Sequence, residues 1–303
     1  MIEKRAYSKK SILQRRRHYF RSVISFKNYR KKKIKEYINR TAKKKEVGAN
    51  VLPRVVVSVG NFCSLQCKEC SQLEPYKKNK CWQDINTIID ELDMLFSPID
   101  ECVCVDVIGG EPLLYKELPI VLKYLIDEKR VSKIEVTTNG TVDIDESVLQ
   151  VLKQDYLHRT QIKISNYGAM SSKIDSIKSL CEENGIQCEI MDMDVWYGFS
   201  NFDAINYKTK KSSWKAKYQY FWCNDNLVCK MVKNGKLYMC GRASGLEEFG
   251  YELCEGRDYI VLRRGLTFKD LLNFWLQKQA PICKKCGDYC TDKMNIVEVA
   301  EQL

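Results

Sequence analysis

Between residues 54 and 191 the chain alternates. Short apolar runs rich in β-branched residues change places with segments whose apolar positions recur at helical spacing. Residues 54–59, 102–108, 133–137, 161–165 and 187–191 read as strands; residues 82–96, 116–128, 145–154 and 171–184 read as helices. In the first of these helices Ile85, Ile88, Ile89, Leu92 and Leu95 share one side. Such alternation predicts parallel βα units, arranged as an open doubly wound sheet or as a barrel. Upstream, residues 8–45 read as a basic helix with an apolar side that includes Phe20, Val23, Ile24, Ile34, Tyr37 and Ile38. Residues 48–53 read as a linker. From about residue 200 the alternation stops, and cysteine, aromatics and lysine take over. Three regions follow: an N-terminal helical arm over 1–50, an α/β body over 51–200, and a cysteine-rich domain over 201–303.

Composition sharpens this picture in two places. The 303 residues are 45% hydrophobic and 29% charged, an ordinary globular mix. The apolar runs are a few residues long, far short of the ~20 that span a bilayer. No apolar stretch follows the basic N-terminus, so a secretory signal is not expected. Net charge is +11, and it is lopsided: residues 1–50 hold 18 of the 50 basic residues and 3 of the 39 acidic ones. The basic character therefore belongs to the arm, and the body is mildly acidic. Such an arm suits an anionic membrane surface, nucleic acid or an acidic partner, or is a solvated extension. Fifteen cysteines without a secretory signal point to the reducing cytosol, where short fixed spacings read as metal or cluster ligands.

The tightest spacing is Cys63-x3-Cys67-x2-Cys70, directly after the first body strand, where a barrel places its reactive loops. Soft thiolates select iron–sulfur or zinc. A closed zinc site wants four ligands. Three thiolates with no fourth ligand nearby leave one corner of a [4Fe–4S] cube open. The zinc alternative borrows a distant cysteine such as Cys81. Cys81, Cys102, Cys104, Cys181 and Cys188 otherwise read as core cysteines.

In this position the triplet resembles the radical S-adenosylmethionine (radical SAM) superfamily. The resemblance implies a partial (β/α)6 TIM-like barrel whose open iron chelates SAM, with the cluster's electron cleaving it to a 5′-deoxyadenosyl radical. Gly109, Gly110, Glu111 and Pro112 follow the second strand and match the family's GGEP turn, whose backbone and acid hold the amino group of SAM. Thr138-Asn139-Gly140 and Ser165-Asn166 end the third and fourth strands and match its segments near SAM. The sequence departs from the family at Glu69, where an aromatic residue or histidine usually precedes the third cysteine.

A second constellation lies downstream: Cys223, Cys229, Cys240, Cys283, Cys286 and Cys290, with a hairpin signal at Asn234-Gly235. It is similar to the twitch or SPASM extension of the same superfamily, which implies an auxiliary [4Fe–4S] cluster. Spacing favours Cys223, Cys240, Cys283 and Cys286 as ligands, with Cys229 and Cys290 as substitutes. A zinc ribbon fits the same spacing.

The resulting expectation is a cytoplasmic radical SAM enzyme, of oxidoreductase or isomerase type, with a SAM-binding cluster and an auxiliary cluster. It would oxidise or epimerise a small-molecule or lipid-linked sugar or polyol. Its electrons would come from a reductase such as flavodoxin or ferredoxin, and residues 1–47 would bring it to the inner face of the membrane. The alternatives are a radical SAM peptide maturase and, from another class, a zinc-stapled nucleic-acid-binding protein. Nucleic acid is otherwise not an expected partner.

Overall fold

The computed structural model describes residues 26–41, 50–194, 196–199, 201–208, 210–287 and 296–303. Its strands are β1 (Val51–Leu52), β2 (Arg54–Ser58), β3 (Glu101–Cys102), β4 (Val105–Ile108), β5 (Ile134–Thr138), β6 (Thr160–Asn166), β7 (Gln187–Asp192), β8 (Trp196–Tyr197), β9 (Cys229–Lys233), β10 (Lys236–Tyr238), β11 (Tyr259–Val261) and β12 (Ile296–Val297). Its helices are α1 (Phe26–Thr41), α2 (Ile85–Phe96), α3 (Leu118–Asp127), α4 (Glu146–Leu152), α5 (Ile174–Glu183), α6 (Asn201–Ile205), α7 (Ser213–Trp222), α8 (Asn224–Val228), α9 (Gly241–Glu248) and α10 (Phe268–Trp275).

One eight-stranded sheet organises the molecule, in the order β11-β10-β9-β2-β4-β5-β6-β7. From β9 to β7 every neighbouring pair is parallel. Six parallel strands served by crossover helices are the βα units the alternation predicts and the partial barrel that the resemblance implies. Strand period two sorts the side chains. Val55, Val57, Val105, Val107, Ile134, Val136, Ile162 and Ile164 are fully buried and share a core with α2 to α5. The opposite face is polar: Ser58, Asp106, Glu135 and Thr137 stand on it. Arg54 ties this face together, bonding Asp106 at 2.5 Å and Glu135 at 2.8 Å. The guanidinium of Arg54, with Lys133 and Lys163 behind it, outweighs burial and holds the Glu135 carboxyl down at about 2.

The helices begin where local chemistry permits. Asp84, Asp145 and Ser212 cap α2, α4 and α7 by accepting backbone N–H groups. Thr267 and Asp270 form a reciprocal capping box on α10.

Three expectations change. The hairpin β9–β10 continues the barrel sheet through β2, so the sheet runs across residue 200. Of the arm, only α1 lies among the described residues, and it is docked. Tyr29 stacks on Phe221 at 4.7 Å, Tyr29 and Ile34 pack against the core, and Arg30 is fully buried. The described part of the apolar side, at Tyr29 and Ile34, therefore meets the protein, while Lys31, Lys32, Lys35 and Arg40 face solvent; Phe20, Val23 and Ile24 lie outside the described residues. Cys81 is exposed, whereas Cys102, Cys104 and Cys181 are core residues. Among the described residues no helix is long and apolar enough to cross a membrane.

Candidate functional site

A cavity of about 310 Å³ opens at the C-terminal ends of the parallel strands. Cys63, Cys67, Cys70, Gly109, Gly110, Thr138, Asn139 and Ser165 line it. The cysteine loop follows β2, the glycine turn follows β4, and Asn139 and Ser165 sit at the ends of β5 and β6. Parallel pairing alone brings these four loops to one edge.

The cysteine loop is held from both sides. The Leu65 amide donates to Cys63 Sγ at 3.5 Å, Asn139 Nδ2 to the same sulfur at 3.6 Å, and Gln302 Nε2 to Cys67 Sγ at 3.5 Å. Residues 301–303 run along the loop: Lys68 donates to the Glu301 carbonyl and Leu303 to the Gln66 carbonyl, at 2.7 and 2.9 Å. Burial pushes all three thiols up, Cys63 to about 12. Desolvated thiolates side by side need a bound cation to stay ionised.

The glycine turn owes its sequence to contact. A Cβ on Gly110 would stand 2.2 Å from the Phe62 carbonyl oxygen and 2.7 Å from Cys63 Cβ. The Glu111 amide donates to that carbonyl at 2.7 Å. At the end of β5, Gly140 has φ +70°, in the left-handed region that favours glycine.

Glu111 sits beneath the cavity. Its Oε1 accepts from Leu113 N at 3.1 Å and Thr138 Oγ1 at 2.8 Å, and its Oε2 from Asn139 N at 2.8 Å. This carboxylate clamps the β4 loop to the β5 loop. Pro112 opens the short turn after it. Asn166 donates to Asp192 at 2.7 Å and accepts from Gly168 N at 2.9 Å, so it shapes its own turn beside the cavity.

The structure adds residues the motifs did not name. Asp106, Thr137, Gln72, Glu74, Tyr167 and Trp196 also line the cavity. Tyr167 and Trp196 meet edge to face at 5.4 Å. They supply aromatic surface that the cysteine loop lacks at Glu69. Glu69 itself turns away and accepts from Phe199 N at 2.7 Å. Glu74 is buried and bonds Lys77 at 2.9 Å through Oε1, and its Oε2 has no hydrogen-bond partner among the described residues. Strand alternation places Asp106 and Thr137 on the polar face, but no spacing rule reaches Tyr167 or Trp196.

Cys283 lies within electrostatic reach of Cys223, Cys240 and Cys286, and burial pushes its thiol well up. These are the four that spacing favoured. Cys229 opens β9. Cys290 lies outside the described residues. The two sites are joined physically: buried Asn201 donates to the Cys70 carbonyl at 2.9 Å and accepts from Arg242, two residues past Cys240, at 2.5 Å. Among the described residues no three His, Cys, Asp or Glu side chains close to the spacing of a single bound ion. All-sulfur donors suit iron–sulfur clusters and zinc alike, and the Cys63, Cys67 and Cys70 set lies beside the open cavity. Cys81, the distant ligand of the zinc alternative, lines a separate cavity with Lys77, Lys78 and Asn79.

No family model matches the chain. Among curated proteins it is similar to 7-carboxy-7-deazaguanine synthase of Aquifex aeolicus (strain VF5), 27% identical over 95 residues. That match covers 31% of this chain and 40% of the relative's length. Among solved structures it resembles BtrN in complex with AdoMet and 2-DOIA, with TM-score 0.47, 16% identity and coverage of 83% of this chain and 97% of that one. It also resembles anSMEcpe with bound AdoMet and the Cp18Cys peptide, with TM-score 0.37, 16% identity and coverage of 46% and 42%.

Proposed function

We infer that this chain, a radical SAM enzyme, cleaves S-adenosylmethionine reductively over Cys63, Cys67 and Cys70 and takes a hydrogen atom from a small polar substrate. One observation carries the reading: the triplet, Gly109, Gly110, Asn139 and Ser165 wall a single cavity at the carboxyl edge of a parallel sheet. Cys63, Cys67 and Cys70 would hold a [4Fe–4S] cluster there, which would supply the reducing electron for SAM cleavage.

The chain's own residues do the rest. Backbone groups of the glycine turn approach the ligand because Gly110 carries no Cβ. Glu111 fixes that turn against Asn139. The N–H donors on Cys63 and Cys67 stabilise thiolate charge. Tyr167 and Trp196 offer a face to the adenine. Asp106 and Thr137 supply acceptors for hydroxyl groups at the cavity wall, which favours a sugar or polyol, free or lipid-linked, in an oxidation or epimerisation. Cys223, Cys240, Cys283 and Cys286 would hold an auxiliary cluster that passes electrons onward. The reducing partner is a flavodoxin or ferredoxin, and a cytosolic setting suits a chain with fifteen cysteines. The lysines on the outer side of α1 leave an anionic surface open as a docking partner.

Anaerobically reconstituted full-length protein should hold about eight irons, as two [4Fe–4S] clusters. Cys63→Ala, Cys67→Ala and Cys70→Ala together should leave about four and abolish 5′-deoxyadenosine formation with dithionite. A triple variant that keeps all its iron sinks the assignment. Deuterium transfer from labelled polyols, against labelled peptides, into 5′-deoxyadenosine decides the substrate class.

A further inference from the structure

Arg30 belongs to a basic segment, yet among the described side chains of α1 it is the basic residue that is fully buried. Its guanidinium spans two elements of the cysteine-rich region. Nη1 donates to Asn226 Oδ1 at 2.8 Å, Nη2 to the Asn226 carbonyl at 2.9 Å and to the Trp275 carbonyl at 3.1 Å, and Nε to Trp275 at 3.2 Å. It also stands over the Tyr220 ring, 4.9 Å from the centroid. Tyr220 precedes Cys223 by three residues and Asn226 follows it by three. The Tyr220 hydroxyl touches Met239 Sδ at 3.8 Å, next to Cys240. Asn226 Nδ2 donates to the Tyr220 carbonyl at 2.9 Å, closing the ring of contacts around the cation. Tyr29, on the same turn, stacks on Phe221 and meets Trp222 edge to face.

We propose that Arg30, carried in by the N-terminal helix, is a positioning residue for the auxiliary cluster: an outer-sphere cation that raises its reduction potential and seals its site. The proposal rests on the auxiliary-cluster reading. Cys223 and Cys283 are among the groups that favour the Arg30 charge, which places the guanidinium within their electrostatic reach. Adding an electron to a thiolate-bound cluster adds negative charge, so a fixed buried cation stabilises the reduced form over the oxidised one. Burial away from water keeps that interaction from being screened.

The test is an EPR-monitored redox titration of reconstituted full-length protein. SAM perturbs the signal of the cluster at Cys63, Cys67 and Cys70, so the signal it leaves unchanged reports the auxiliary cluster. In Arg30→Gln that signal should titrate at a lower potential, the ratio of reduced to oxidised cluster falling about tenfold at a fixed poise, a shift of about 59 mV for one electron. Arg30→Lys should stay near the parent value. Asn226→Asp places an anion against Arg30 without removing it and should lower the potential in the same direction, so the question stays open to measurement if Arg30→Gln fails to fold. The SAM-sensitive signal should not move in any of them. An auxiliary signal with unchanged potential in both Arg30→Gln and Asn226→Asp overturns the role of Arg30 alone. Iron near four in the parent protein, with no SAM-insensitive signal, overturns the auxiliary cluster and this proposal with it.

Discussion

Gly110 is where the motif meets its physical reason. With the Phe62 carbonyl 2.2 Å and Cys63 Cβ 2.7 Å from any added Cβ, the turn after β4 and the cysteine loop cannot both keep their places around a larger residue. Gly110→Ala should therefore displace Cys63 first. We expect about half the iron to be lost, SAM cleavage to disappear and stability to fall by about 1–3 kcal/mol, as over-filled sites do. Iron analysis and urea unfolding check this; full iron with full activity would mean the loops part freely. Glu111 teaches a different lesson. The resemblance implied an acid facing the amino group of SAM, and the structure gives its oxygens to Leu113, Thr138 and Asn139. These three bonds leave a lone pair on the carboxylate for a further donor.

Among the elements, the segment through Phe199 and Asn201 sets the relation between the two cysteine groups. Glu69 and the Cys70 carbonyl hold it on one side, and Arg242 on the other. On the far side a Cβ at Gly287, next to Cys286, would stand 2.2 Å from the Phe199 carbonyl oxygen. Asn201→Ala leaves a buried carbonyl and a guanidinium short of partners, at a cost of about 1–3 kcal/mol. The expected result is a lowered denaturant midpoint with iron lost from both sites in parallel. Loss from one site alone would show that they are braced independently. Glu69→Gln keeps the acceptor and should stay near the parent.

Across the whole molecule, Glu91 links the barrel to its extension. It projects from α2, and its Oε1 accepts from the Gly235 amide at the tip of the β9–β10 hairpin, while its Oε2 is buried without a hydrogen-bond partner among the described residues. Burial pushes this carboxyl up to about 7. A free glutamate titrates near ~4.3, so the folded state holds a proton that the unfolded chain releases. The stability tied to that proton is fully present below ~4.3 and is lost as pH rises through about 7. Glu91→Gln keeps the acceptor and removes the titration. It should raise stability at pH 8 by about 2–3 kcal/mol and leave it unchanged at pH 4, read from urea midpoints across the range. An equal gain at both pH values would trace the effect to something other than the proton.

Much of the fold was legible because its signals are local. Strand-like runs and helical periodicity depend on neighbours a few residues apart, so the four helices and four of the five expected strands between 54 and 192 lie within a few residues of where the pattern puts them, while the run over 102–108 divides into β3 and β4. Cysteine spacing and the Gly-Gly-Glu-Pro turn are equally local, and they named Cys63, Cys67, Cys70, Gly109 and Gly110 among the residues that wall the cavity. What depended on long-range pairing was not legible. No spacing rule brings Gln302 to Cys67, the hairpin at Asn234-Gly235 to the edge of β2, or Tyr167 and Trp196 to the gap left by Glu69. The arm is the clearest case. Its charge and amphipathic pattern are the same whether the apolar side meets lipid or protein, and only the assembled surface of Tyr220, Phe221, Asn226 and Trp275 decides that Arg30 goes inside. A sequence fixes what a face can bury, and the tertiary structure supplies the surface that it buries against.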